Sequence, residues 1–257
     1  MRYSRQILLE NWDITAQERL KASTVVILGA GGLGCPVSET LVRAGIGNLY
    51  IIDDDVIEMS NLQRQTLFTV EDIGQGKAET AYKALSKINE YVNVSYSDQR
   101  LNDDTTDSLI KIKQDKASDA PFLLLDCSDN FAARELLNQV SVNESIPLLS
   151  ASALGYSGQL ALYEPYKQTG CYHCVFGEVL KKEPTETNEP MTQTCTNSGV
   201  LASTTTIMGN LQANAALQYL GRGINPLFSQ LLIWDGSSMT QHKMRYRQDK
   251  QCQVCAD

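Results

Sequence analysis

A strand, a glycine turn and a helix follow one another near the start of this chain, and few architectures accept that order. Thr24–Gly29 (TVVILG) reads as a buried strand, Gly29-Ala30-Gly31-Gly32-Leu33-Gly34 as the turn, and a helical pattern runs through Val37, Leu41 and Ala44 to Gly45. Such a turn lets the backbone approach phosphates closely and aims unpaired N–H groups and the helix dipole at them. Far downstream lie two Cys-x-x-Cys pairs, Cys171/Cys174 and Cys252/Cys255. Together these features imply a nucleotide-binding sheet whose C-terminal half is pinned by a structural metal.

The rest of the chain fits that frame. Asn48–Asp53 (NLYIID) is a second strand, Lys77–Asn89 sets Ala78, Ala81, Leu85 and Ile88 on one helical face, and Val92–Tyr96 is a third strand. Leu123–Asp126, Phe131–Asn143 and Pro147–Ser152 continue as strand, helix and strand. The alternation implies an α/β fold: a Rossmann-like, mostly parallel sheet with helices on both faces. From Gln159 the pattern changes. QLALY and SQLLIWD read as antiparallel C-terminal strands flanking a long apolar helix from about Ser203 to Leu220. Residues 178–198, rich in Lys, Glu, Thr and Pro, read as a mobile loop.

Composition removes several function classes. A formal charge of -8 argues against a polyanion-binding surface, since nucleic-acid affinity rests on Lys and Arg neutralising phosphates. The apolar run near the N-terminus stops after three residues, too short for a secretory core, and no apolar stretch reaches membrane-spanning length. A cytoplasmic protein with no nucleic-acid or membrane partner is expected. Seven cysteines fit that compartment if four bind metal and three stay reduced.

Several polar residues fall where a nucleotide site would need them. Asp53 ends the second strand, where a carboxylate accepts hydrogen bonds from ribose hydroxyls; an exposed strand-end acid is the plain alternative. Asn61 and Arg64 share a face if Ser60–Gln65 is a helical turn. Lys77 stands at a predicted helix start, where the macrodipole disfavours cations, so an anion is expected to meet it. Asp129 follows the strand LLLD at the edge where ligands bind in such sheets, and a carboxylate there suits Mg²⁺, although helix capping before Phe131 is an alternative. A nicotinamide cofactor's pyrophosphate needs only the glycine turn, whereas a triphosphate calls for added cations. Arg64, Lys77 and Asp129 therefore favour ATP.

RYSRQ (2–6), GAGGLG (29–34), IIDDD (51–55), SNLQRQ (60–65), IGQGK (73–77), DCSDN (126–130) and the two CxxC pairs together resemble the ThiF/MoeB family, from Arg2 to Cys255. The resemblance implies ATP-dependent adenylation of the C-terminal glycine of a ubiquitin-like sulfur carrier, ThiS or MoaD, for thiamine or molybdopterin biosynthesis. It further implies Gly31 and Gly32 under the phosphates, Asp53 on the ribose, Asn61, Arg64 and Lys77 around the phosphates, and Asp129 on Mg²⁺. Arg5, of RYSRQ, is implied to reach into a partner subunit's site, which makes the protein a homodimer. One adenylating domain over 1–257 follows, with a nucleotide-binding half (1–153) and a carrier-binding, zinc-bound half (154–257).

The cysteines separate by role. Four thiolates in C-Y-H-C and C-Q-V-C offer the closed tetrahedral set that structural Zn²⁺ prefers, leaving His173 surplus. Cys35 and Cys127 read as small buried residues. Cys195 stands where ThiF-type relatives can form a covalent sulfur link with the carrier, and a bland reading of it carries equal weight. Two other classes stay open: a nicotinamide oxidoreductase, and a non-catalytic zinc-stabilised adaptor for a ubiquitin-like partner.

Overall fold

The computed structural model describes residues 2–102, 105–116, 120–180 and 199–256. Its centre is an eight-stranded sheet. In chain order the strands are β1 (Thr24–Leu28), β2 (Asn48–Ile52), β3 (Asn93–Ser97), β4 (Phe122–Asp126), β5 (Leu148–Leu154), β6 (Ser157–Tyr163), β7 (Gln230–Asp235) and β8 (Thr240–Arg245). Their spatial order is β3-β2-β1-β4-β5-β6-β7-β8. The pairings from β3 across to β5 are parallel, and those from β5 across to β8 are antiparallel.

The helices are α1 (Ser4–Ile7), α2 (Ile14–Ala22), α3 (Gly34–Ala44), α4 (Lys77–Ser86), α5 (Thr106–Gln114), α6 (Phe131–Asn143), α7 (Tyr172–Leu180) and α8 (Ala202–Leu217). A π-helical turn, Gln218–Arg222, ends α8. β1 and β4 are apolar almost throughout because both faces of the central sheet are covered. On one face Val25, Ile27, Leu49, Leu123 and Leu125 pack with Leu41 of α3 and Met208 of α8. On the other, Val26, Leu28 and Leu124 pack with Leu137 and Val140 of α6 and with Tyr172. Each such buried Leu or Ile contributes about 1.5–3 kcal/mol relative to exposure.

This architecture positions a site. β1 is the first strand, the chain moves outward from it to β2 and β3, and then returns to its other side with β4. The connections leaving β1 and β4 therefore diverge at the C-terminal ends of adjacent parallel strands, the crevice in which open α/β sheets bind ligands. Among the described residues no helix is long and apolar enough to cross a membrane.

Candidate functional site

The glycine turn sits in that crevice, and at two of its positions a side chain would not fit. Gly29 has φ +98°, and a Cβ there would stand 2.7 Å from the Cys127 carbonyl oxygen; one on Gly34 would collide with the Gly29 carbonyl. Gly29 donates to the Ile52 carbonyl at 2.8 Å and Cys127 to the Leu28 carbonyl at 2.9 Å, so the turn is tied to both neighbouring strand ends. Gly31 and Gly32 precede α3, and their N–H groups have no acceptor among the described residues. Free N–H groups at a helix N-terminus are anion receptors.

Asp53 is bound into the same turn. Its Oδ2 accepts from the Ala30 N–H at 2.6 Å and its Oδ1 from the Asp55 N–H at 2.9 Å. Burial pushes its pKa up, against the pull of the Ala30 N–H and of Lys77. The 60–65 segment lies over the glycines: a Cβ on Gly32 would meet Thr205 Cγ2 at 3.0 Å and Arg64 Cγ at 3.3 Å, and one on Gly31 would meet Gln65 Nε2 at 3.6 Å. Among the described residues, the Arg64 side chain donates to the Ser60 carbonyl alone, at 3.0 Å. Asn61 is buried, and its Oδ1 accepts the Glu58 N–H at 3.1 Å, so part of its hydrogen-bonding capacity is spent locally. Lys77 is 7% exposed and does meet an anion: its Nζ donates to Asp55 Oδ2 at 2.8 Å.

The 126–130 turn is more heavily braced than its sequence suggested. Asp126, fully buried, accepts from Ser128 N–H and Oγ at 3.0 and 2.6 Å and from Ser150 Oγ at 2.5 Å. Arg134 of α6 lies 3.6 Å from the same carboxylate and donates through Nη2 to the carbonyls of Ser128 (2.7 Å) and Ala151 (3.3 Å). Burial opposes the charge on Arg134, and Asp126 foremost outweighs it, so its pKa is raised. The cap of α6 is Asn130, whose side chain accepts the Ala133 N–H at 2.9 Å. Capping therefore does not occupy Asp129, which is exposed and free of hydrogen bonds and ion pairs among the described residues.

The four cysteines converge elsewhere, against α6. Their sulfurs all lie within 4.8 Å of one another, with Cys171–Cys252 at 3.7, Cys174–Cys255 at 3.4 and Cys171–Cys174 at 3.9 Å. Tetrahedral sulfurs around zinc, with bonds of about 2.3 Å, stand about 3.8 Å apart, so the set fits a metal ion of that kind. Hydrogen bonding from Cys171 foremost, helped by the Asp249 N–H, draws Cys174 down to about 4 against its burial. Asn138 of α6 donates to Cys171 Sγ at 3.5 Å and accepts the Tyr172 N–H at 3.0 Å. His173 turns away to Glu135, 2.7 Å from its Nδ1, and is not among the cluster's ligands.

A family model, the ThiF family, matches residues 3–254. The chain belongs to the ThiF family. It is 36% identical to the sulfur carrier protein ThiS adenylyltransferase of Escherichia coli K12 over 255 residues, covering 99% of this chain and 94% of that protein. It is 34% identical to the molybdopterin-synthase adenylyltransferase of Salmonella typhimurium over 258 residues, covering 99% and 96%. Among solved structures, E. coli MccB with ATP superposes with a TM-score of 0.80 at 27% identity, covering all of this chain and 74% of that one.

Within this ThiF-family chain, Gly31, Gly32, Asp53, Arg64 and Lys77 gather about one crevice, with Asn61 beside them and Asp129 on the adjoining turn. Arg5 does not join them. Tyr3 packs on Gly45 and accepts from Asn89 at 2.9 Å, and Gln6 donates to the Ala44 carbonyl at 3.0 Å. These contacts hold α1 at the C-terminal end of α3, opposite the glycine turn. Cys195 and most of the 178–198 loop lie outside the described residues. Sequence reasoning missed Asp126, Arg134 and Gln212. The last is fully buried in α8 and donates to the Asp126 and Leu149 carbonyls at 3.0 Å each. An acid closing an otherwise apolar strand was the available signal for Asp126.

Proposed function

We propose that the protein adenylates the C-terminal glycine carboxylate of a ubiquitin-like sulfur carrier, of ThiS or MoaD type, using ATP and releasing pyrophosphate. Family membership and near-full-length similarity to two adenylyltransferases, one named for the sulfur carrier protein ThiS and one for molybdopterin synthase, support the reading. The observation that carries it is the crevice itself, where free N–H groups, an acceptor carboxylate and two cations surround one glycine turn.

A peptide C-terminal carboxylate has a pKa of roughly 3.5 and is already ionised at neutral pH, so its attack on the α-phosphorus requires no general base. A carboxylate oxygen forms the new P–O bond, the bond to the β-phosphate oxygen breaks, and pyrophosphate leaves with that electron pair. Two anions must approach, so catalysis rests on alignment and on charge cancellation. In this reading Gly31 and Gly32 receive phosphate oxygens on their N–H groups, Asp53 accepts from the ribose, and Asn61, Arg64 and Lys77 surround the phosphates. Lys77 is preorganised by Asp55, which keeps its charge at the crevice before nucleotide arrives. Asp129, a free hard-oxygen ligand, fits Mg²⁺, which when bound would neutralise phosphate charge. The four cysteines hold structural Zn²⁺ and join the chain's end to α6 and α7. The nucleotide-binding half is 1–153 and the carrier-binding half 154–257. The partner subunit supplies Arg5 in a cytoplasmic homodimer, and Cys195 is the candidate for a covalent sulfur link to the carrier.

Carrier-dependent ATP–pyrophosphate exchange tests the proposal. Arg64→Ala and Lys77→Ala are each expected to depress exchange at least tenfold, and unchanged exchange in both removes the phosphate-site assignment. ThiS and MoaD assayed side by side identify the carrier. A nicotinamide oxidoreductase would instead be protected against heat by NAD and not by ATP with Mg²⁺, and an adaptor would bind carrier without exchange.

A further inference from the structure

Asp126 and Arg134 form a buried ion pair that the proposed chemistry does not itself use, and its geometry is not that of a pair optimised for strength. The guanidinium Nε lies 3.6 Å from Asp126 Oδ2, beyond hydrogen-bond distance, and has no hydrogen-bond partner. Burying two charges costs several kcal/mol per ion, which an imperfect pair does not fully offset. Three of the hydrogen bonds these two residues make lead instead to Ser128. Asp126 Oδ1 accepts the Ser128 N–H and Arg134 Nη2 donates to the Ser128 carbonyl, so the two peptide groups that flank the Ser128 Cα are both held. That carbonyl belongs to the peptide bond entering Asp129, so its orientation sets the direction in which the Asp129 backbone leaves the turn.

The same two side chains extend to the next strand. Ser150 Oγ donates to Asp126 Oδ2 and Arg134 to the Ala151 carbonyl, fixing the turn against β5. Asn130 closes the turn on its other side by capping α6. Asp129 is thus a free carboxylate between residues that are all held. A carboxylate offered to Mg²⁺ needs such a mount, because that ion tolerates little departure from octahedral geometry.

We infer that Arg134, acting with Asp126 through the two peptide groups that flank Ser128, is a positioning residue that aims Asp129 at the nucleotide-bound divalent cation. The inference rests on the assignment of Asp129 to Mg²⁺. Arg134→Lys keeps the charge that acts on Asp129 but replaces the guanidinium, whose Nη2 reaches the Ser128 and Ala151 carbonyls together, with a shorter ammonium of different geometry. Ser150→Ala removes one donor to Asp126 and leaves the ion pair, so it tests the same brace with less risk to folding.

The experiment is a calorimetric titration of ATP into the full-length protein at a series of Mg²⁺ concentrations, with Asp129→Asn as the reference and melting temperature followed in parallel. Arg134→Lys is expected to raise the half-saturating Mg²⁺ concentration at least fivefold, and Ser150→Ala about twofold. ATP affinity at saturating Mg²⁺ should stay within twofold of wild type in both. If Asp129→Asn shifts the Mg²⁺ dependence while Arg134→Lys and Ser150→Ala do not, the positioning role is overturned and the metal assignment stands. If the two brace variants lower ATP affinity equally at every Mg²⁺ concentration, they act only on general stability and the inference fails. If Asp129→Asn itself changes nothing, the metal assignment falls and the inference with it.

Discussion

Asp53 carries two demands that pull in opposite directions with pH. Its folded pKa is raised, chiefly by burial, so its contribution to folding is greatest below the unfolded value and is lost as pH rises through the folded one. Ribose binding asks the reverse, since the ionised carboxylate is the stronger acceptor. Affinity for the nucleoside is therefore expected to fall as the solution is acidified through the folded pKa, above the ordinary aspartate range. Competition by adenosine, which has no phosphate, measures this apart from phosphate ionisation. Asp53→Asn should bind roughly tenfold more weakly at neutral pH and lack the acidic decline. Asp53 was legible as a ribose acceptor from its place at a strand end, and its grip on the Ala30 N–H was not, because that contact crosses the turn. Lys77 shows the same limit: its position predicted an anion, and Asp55 is the anion the fold supplies.

At the scale of elements, the strands easiest to read were those covered on both faces. β1 and β4 announce themselves as unbroken apolar runs, whereas β8 (TQHKMR) is exposed along its whole length and carries no alternation to find. Helix α2 was missed: its buried residues are Ala16, Gln17 and Leu20, and Gln17 earns its place through polar contacts to Ala44 and Trp12 rather than apolar periodicity. The expected Ser203–Leu220 helix is found as α8 with its π-helical end. That end is tied to β6 through the buried Glu164, whose carboxylate receives Tyr219, Tyr166, Lys167 and Asn225. Burial pushes Glu164 up, but Lys167 first, then Asn225 and Tyr166, bring it below the usual range. A depressed carboxylate stabilises above its unfolded pKa and ceases to do so as pH falls through the folded one. Glu164→Gln is expected to cost about 2 kcal/mol at neutral pH in urea unfolding, a difference that shrinks toward strongly acidic solution.

For the molecule as a whole, the cysteine cluster joins the last residues to α6 and α7, far along the chain from the first knuckle. Stripping metal with a strong chelator is expected to lower the melting temperature by roughly 5–10 °C, the equivalent of a few kcal/mol in a chain of this size. Melting curves recorded with and without added Zn²⁺ check both the loss and its reversal. The spacing of the two pairs made this cluster legible, since metal chemistry dictates both spacing and residue type. Nothing comparable marks Arg5, whose role came from resemblance. Its test is to mix Arg5→Ala with Arg64→Ala protein. Random re-pairing should restore roughly a quarter of wild-type exchange, because only one of the two centres in a mixed pair is whole.

The anchoring of Tyr3 at the far end of α3 then acquires a kinetic meaning. If Arg5 completes a partner's site as proposed, a lone protomer, whose first helix is held at the far end of α3, lacks it at its own site. Below the concentration at which protomers meet, turnover should decline as the square of the amount present, although every strand remains folded.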